Sequence, residues 1–329
     1  MFNRRSFLMG SGVLLLGAQA SGVSAGMTAP GAPRLIFGFP AGAIGTEFAQ
    51  GCSTILASHG GPHYQVVTID SRNSRDATIE VKNAPPDGSV VLHAQSTSMV
   101  MLASVYRNLG FDPLHDFAPV AALAEMSLSL TVGPVVPANV TTLDQYLKWV
   151  EDNPDQREIG FSIYGSQGHL AALMTARAKG ATLVPRPYKG TLMLLKDVAE
   201  GGVAAAFTTA ANGNPEIWST GKLRSLGVTS SERVAHWPHV PTLAEQGVPG
   251  MDLRAWFSWQ VPIATPEPVL NNLREKTRLM TDSPEYNALL QRLLLKRIDL
   301  SPPQVIERTA NEIALYKQLG EAYNIRQLD

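Results

Sequence analysis

Three short loops hold the residues with the best means of doing chemistry. The first, Pro40-Ala41-Gly42-Ala43-Ile44-Gly45-Thr46, stands between an apolar strand and a helical stretch. Small residues let backbone N–H groups approach a ligand, and a helix N-terminus favours negative charge. The second, Tyr164-Gly165-Ser166-Gln167-Gly168-His169, has the same setting and adds the Ser166 hydroxyl as a donor. In the third, Pro187-Tyr188-Lys189-Gly190, a lysine at a strand end could offset an anion's charge. The chemistry these loops suggest is the capture of a small anion.

Blander and sharper readings stand beside that one. The second loop has the strand–turn–Ser–turn–helix form of a nucleophile elbow, with Tyr164 where the first Gly of GxSxG belongs. The order Ser166, Asp197, His239 would match the chain order of a hydrolase triad. The same loop also reads as a plain turn, His169 as a capping or packing histidine, and Lys189 as a solvated turn residue. No GxGxxG or P-loop signature occurs, so a nucleotide cofactor is not expected.

Composition narrows the classes. The chain has 329 residues, 44% hydrophobic and 17% charged, which is globular composition with ample core material. A net charge of −1 offers no global field for nucleic acid or an anionic membrane. One cysteine excludes an intrachain disulfide and a thiolate zinc site, and the 7 histidines are too scattered to suggest a metal centre. No cofactor, metal or nucleic-acid partner is therefore expected.

Alternating strands and helices must position the loops. Residues Arg34 to Phe39, Tyr64 to Ile69 and Ser89 to Leu92 read as strands, and Phe48, Cys52, Ile55 and Leu56 as one helical face with Thr46 as its N-cap. Cys52 on that stripe reads as a small buried hydrophobe. Further along, Leu128 to Val132, Ile159 to Ile163, Leu183 to Tyr188, Val203 to Phe207 and Leu223 to Val228 read as strands. Thr142 to Gln145 fits a capping box, Ala171 to Lys179 and Leu192 to Ala199 read as helices, and Ile306, Ala310, Ile313 and Tyr316 share a helical face after Pro268. This pattern predicts an α/β fold with parallel sheet, in two βαβ-rich blocks and a helical tail that packs back on the first.

The N-terminus reads as an address. Arg4-Arg5-Ser6-Phe7-Leu8, a short apolar run and the small residues Val23-Ser24-Ala25 are the parts of an export signal over residues 1–25, with twin-arginine character. Cleavage near Ala25 would deliver the chain to the periplasm.

Several strings then converge: FDPLHDFAPV from Phe111, PYKGT from Pro187, GKLRSLGVTSSER from Gly221 and PHVPTLAEQGVPGMD from Pro238, together with Trp256 and Pro262-Ile-Ala-Thr-Pro266. In order and spacing, from about residue 34 to 320, they resemble the Bug-type receptors, the extracytoplasmic substrate-binding proteins of tripartite tricarboxylate transporters. That resemblance implies a two-lobed periplasmic binding protein fold, type II-like, with mostly parallel sheet in each lobe and the ligand cleft between lobes. Residues 33–124 and 255–329 would form lobe 1 and 125–254 lobe 2. It also implies a receptor with no chemistry of its own, a small carboxylate ligand and membrane-subunit partners; a sensor of the same fold is the other outcome. The implied ligand-binding residues are Ala41, Gly42, Ala43, Gly45, Thr46, Ser96, Thr97, Gly165, Ser166, Gln167, His169, Tyr188, Lys189 and Thr208.

The chain departs from the family pattern at the cleft. Thr46 replaces an Asp in the first loop, Thr208 replaces another after a strand, and the Gly-rich segment after the second strand becomes Asp70-Ser71-Arg72-Asn73-Ser74-Arg75-Asp76. Arg72 and Arg75 are possible anion-binding residues. Either one reaches the cleft and favours a second carboxylate, or both are surface residues paired with Asp70 and Asp76.

Overall fold

A computed structural model describes residues 31–210 and 215–329. The expected export signal lies outside the described residues. Among them, no helix is long and apolar enough to cross a membrane.

The first block winds β1 (Arg34–Phe37), α1 (Ile44–Ser58), β2 (Gln65–Thr68), α2 (Arg75–Lys82), β3 (Val90–Gln95) and the short α3 (Leu102–Val105). β1 pairs parallel with β2 and with β3. The predicted face of α1 is buried at Phe48, Cys52 and Leu56, while Ile55 is only half-buried. Cys52 is a free thiol inside this core, and burial pushes its pKa up. The helix begins at Ile44, two residues before Thr46, with Ala43 as its extended cap. Thr46 is therefore not the N-cap; its hydroxyl turns back to the Pro40 carbonyl at 3.4 Å.

β4 (Phe117–Val132) is a 16-residue strand that serves both halves of the sheet. The second block continues through α4 (Leu143–Asp152), β5 (Glu158–Phe161), α5 (Gln167–Lys179), β6 (Val184–Pro187), α6 (Thr191–Glu200), β7 (Ala205–Thr209), α7 (Pro215–Ser219) and β8 (Arg224–Val228). The Thr142 capping box is present, and Leu143, Tyr146 and Val150 are buried as their spacing predicts. β5 pairs parallel with β6 and β7. The chain returns along β9 (Arg254–Pro262), which inserts antiparallel between β3 and β4. The sheet order is β2-β1-β3-β9-β4-β7-β5-β6, with β8 and the two-residue β10 (Lys296–Arg297) also on β4. Parallel pairing is thus confined to the two βαβ blocks, and the central strands run antiparallel.

The tail packs back as expected, through α8 (Glu267–Thr281), α9 (Pro284–Leu293) and α10 (Pro302–Ala322). Gly51 of α1 lets α9 approach: a Cβ there would meet Leu289 Cδ2 at 2.6 Å. The buried face of α10 is Val305, Thr309 and Tyr316; of the predicted stripe Tyr316 is buried, Ala310 and Ile313 are half-buried, and Ile306 is exposed because the first turns are rotated by one position. Polar packing sets that rotation, since Glu312 Oε2 accepts from Trp256 Nε1 at 2.9 Å and Arg308 reaches Glu125 at 3.1 Å.

Candidate functional site

Strand ends and helix starts build one cleft. Its volume is about 350 Å³, and residues from the β1–α1 loop, the end of β3, the β5–α5 loop, the β6–α6 loop and β7 line it. α1 (15 residues), α5 (13 residues) and α6 (10 residues) all present their first turn to this cavity, through Ile44 and Gly45, Gln167 and Gly168, and Thr191 to Met193. First-turn N–H groups have no intrahelical acceptor, and aligned peptide dipoles add partial positive charge there. Three such ends on one cavity favour an anion.

The loops differ in how their side chains are engaged. Ser166 caps α5, its Oγ accepting from the His169 amide at 3.4 Å. The His169 ring accepts from the Gly165 N–H at 3.2 Å and stacks on Phe161 at 4.5 Å. Burial lowers its pKa to about 4, so it is neutral near pH 7. Gln167 is buried and accepts from Thr97 Oγ1 at 2.8 Å while donating to Ser96 Oγ at 3.2 Å. Ser96 Oγ also accepts from the Trp256 amide at 3.1 Å. This knot ties the start of α5 to the end of β3 and to β9, beneath the cavity.

Of the residues singled out from sequence, Ala41, Ala43, Gly45, Thr97, Ser166, Gln167 and Lys189 line the cavity. The others stand off it. Gly42 is exposed, Ser96 lies in the knot, and a Cβ on Gly165 would strike Val105 at 2.3 Å. The Tyr188 hydroxyl donates to Asp197, and burial together with that bond pushes its pKa up. Thr208 Oγ1 pairs with Thr131 Oγ1 at 2.8 Å; its strand neighbour Thr209, on the opposite face, reaches the cavity. The triad residues are not assembled: Ser166 is a cap, Asp197 is held by Tyr188 and Arg186, and His239 is exposed.

Neither arginine of the substituted Gly-rich segment lines the cavity. Arg72 Nε donates to Asp76 at 2.6 Å, a bond that lowers the Asp76 pKa. Arg75 is buried, donating to the carbonyls of Leu109 at 3.2 Å and Asn108 at 2.5 Å, with its guanidinium 4.3 Å from the centre of the Tyr106 ring. The segment keeps left-handed backbone without glycine, at Arg72 (φ 45), Asn73 (φ 56) and Ser74 (φ 74). Gly38 makes room for it, because a Cβ there would fall 2.0 Å from Ser74 Oγ. Asp70, from the same segment, does reach the cavity, with Phe37, Phe39, Met126, Leu128, Ile163 and Met193 as apolar wall. Sequence reasoning missed these because Phe37, Met126 and Leu128 are strand side chains that look like ordinary core, and Phe39, Ile163 and Met193 follow on loops and on α6 with no local pattern that marks them.

A larger cavity, about 610 Å³, lies around Glu125, Arg233, His236, Arg254 and Lys296. Its charges are engaged with one another: Glu125 meets Arg254 at 3.0 Å, Arg308 at 3.1 Å and Lys296 at 3.9 Å, and Arg233 meets Glu245 at 3.0 Å. A buried, paired carboxylate of this kind ties strands together and leaves little unspent charge for a ligand.

Comparison with known proteins agrees with the fold and with the earlier resemblance. Residues 56–325 match the family model described as the tripartite tricarboxylate transporter family receptor. Protein BugT of Bordetella pertussis is 28% identical over 243 residues, covering 72% of this chain and 73% of BugT. A UPF0065 protein in the tcbD-tcbE intergenic region of Pseudomonas sp. strain P51 is 28% identical over 267 residues, covering 79% of this chain and 78% of that protein. Among solved structures, R. palustris Rpa4515 with adipate superposes with a TM-score of 0.83 at 26% identity, covering 90% of this chain and 98% of that one. The periplasmic binding protein BugD, at 21% identity and a TM-score of 0.81, shares the fold over 90% of this chain and 98% of its own. With most of its length inside that family match, the chain belongs to the tripartite tricarboxylate transporter receptor family.

Proposed function

We propose that this protein is an exported, periplasmic receptor that captures a small organic carboxylate in the cleft and presents it to the membrane subunits of a tripartite transporter. The observation that carries the reading is the convergence of three helix N-termini, with Lys189 beside them, on one cavity. Rpa4515, solved with adipate, is a related precedent for a carboxylate in this fold. The protein acts as a receptor and not as a hydrolase: Ser166 serves as a helix cap, and no fluorophosphonate labelling that depends on Ser166 is expected.

Residues 33–124 with 255–329 form one lobe and 125–254 the other, closing over the ligand. Glu125 stands opposite Trp256 on β4 and β9, and this pairing supports placing the connection between lobes on these two strands. Arg4 and Arg5 route export. The test is calorimetric and thermal titration of the purified protein with a panel of carboxylates. A ligand at a hundred times its Kd stabilises the fold by about 2.7 kcal/mol. Failure of every carboxylate to bind or stabilise would overturn the reading.

A further inference from the structure

The charges that line the cleft are few. Among the described lining residues only Asp70 and Lys189 are ionic, and both are exposed at the cavity with no ion-pair or hydrogen-bond partner. Asp70 follows β2 and Lys189 follows β6, the two end strands of the sheet order, so the sheet curls to bring them to one cavity. The helix N-termini and Lys189 provide for one carboxylate. A second carboxylate would find no further cation, because Arg72 is held by Asp76 and Arg75 by backbone carbonyls. It would instead meet apolar side chains and the Asp70 carboxylate. Desolvating a charge without a partner is costly, and a like charge at the cleft adds repulsion.

We propose that the cleft selects a monocarboxylate with an apolar body over the dicarboxylate of equal length, and that Asp70 enforces the choice. This rests on the carboxylate-receptor reading and names its ligand class. It sets the chain apart from Rpa4515, whose structure holds the dicarboxylate adipate. The apolar body packs on Phe37, Phe39, Met126, Leu128, Ile163 and Met193.

The experiment is isothermal titration of the wild type and Asp70→Asn with matched pairs: butyrate and succinate, hexanoate and adipate, benzoate and terephthalate. In the wild type the monoacid of the best-binding pair should be favoured by about tenfold or more. In Asp70→Asn the diacid should tighten while the monoacid keeps its affinity, so the preference narrows. Lys189→Ala should weaken both members of the pair alike. A wild type that binds the diacid as tightly as the monoacid, or a preference that Asp70→Asn leaves unchanged, would overturn the proposal while the receptor reading stands. Absence of binding by both members of every pair would overturn the two together.

Discussion

The two sides of the cleft are built differently. On the first side, α1 begins at Ile44 with no side-chain cap from Ala43, and Thr46 makes one long bond to the Pro40 carbonyl. On the second, Ser166 caps α5, His169 holds the Gly165 amide, and Gln167 is knotted to Ser96 and Thr97. The α6 entrance on that side is shaped by Gly190, whose φ of +93 suits glycine and whose missing Cβ would stand 3.2 Å from Pro40 across the cleft. One loop offers bare amides and yields easily; the other is pre-set by side chains. Rigid donors on one wall lower the cost of ordering at binding, and a softer wall allows closure.

The largest expected effect appears with pH. Burial holds the folded pKa of His169 at about 4, below its unfolded value of about 6.5. The unfolded chain therefore binds the proton first. Stability is unaffected by this group above about pH 6.5 and falls as pH drops toward 4, by up to about 1.4 kcal/mol per unit. His93, buried under the first side with its pKa lowered to about 3, adds to the same slope. Urea unfolding across this window should show a shallower acid slope in His169→Gln than in the wild type; identical slopes would place His169 outside the buried stack.

Smaller effects follow on neutral-pH stability. Gln167→Ala leaves the buried Thr97 and Ser96 hydroxyls short of a partner and should cost about 2 kcal/mol. Ser166→Ala removes an N-cap and should cost about 1 kcal/mol. Thr46→Ala on the first side should cost no more than about 0.5 kcal/mol, since its one long bond is weak. Denaturant midpoints for the three variants test the ranking, and an equal loss at Thr46 would erase the distinction between the walls.

The blocks were legible in the sequence where periodicity was clean: β1 with α1, the Thr142 capping box and α4, and the loops at Ile44 and Ser166. β4 was legible only at its end. Pro119 and the alanines at 118, 121, 122 and 124 hide the alternation, and the register shifts twice along that stretch. β9 was marked by Trp256 and the string from Pro262 without being read as a strand, because a strand buried on both faces has no alternation to show. At the site, the loops came from small residues at strand ends, but side-chain direction did not. Thr208 and Thr209 differ by one position and face opposite ways, and Arg75 is drawn into the core by carbonyls that no local pattern marks.

On the proposed function, the first-turn amides of α1, α5 and α6 hold the ligand carboxylate. The direct measurement is a ¹⁵N-amide NMR titration of the isotope-labelled protein with the tighter acid of the best-binding matched pair. The largest shifts should fall at Ile44 and Gly45, Gln167 and Gly168, and Thr191 to Met193, with little change around Glu125 and Arg254. Shifts concentrated instead on the larger cavity, at Arg233, His236 and Lys296, would contradict it.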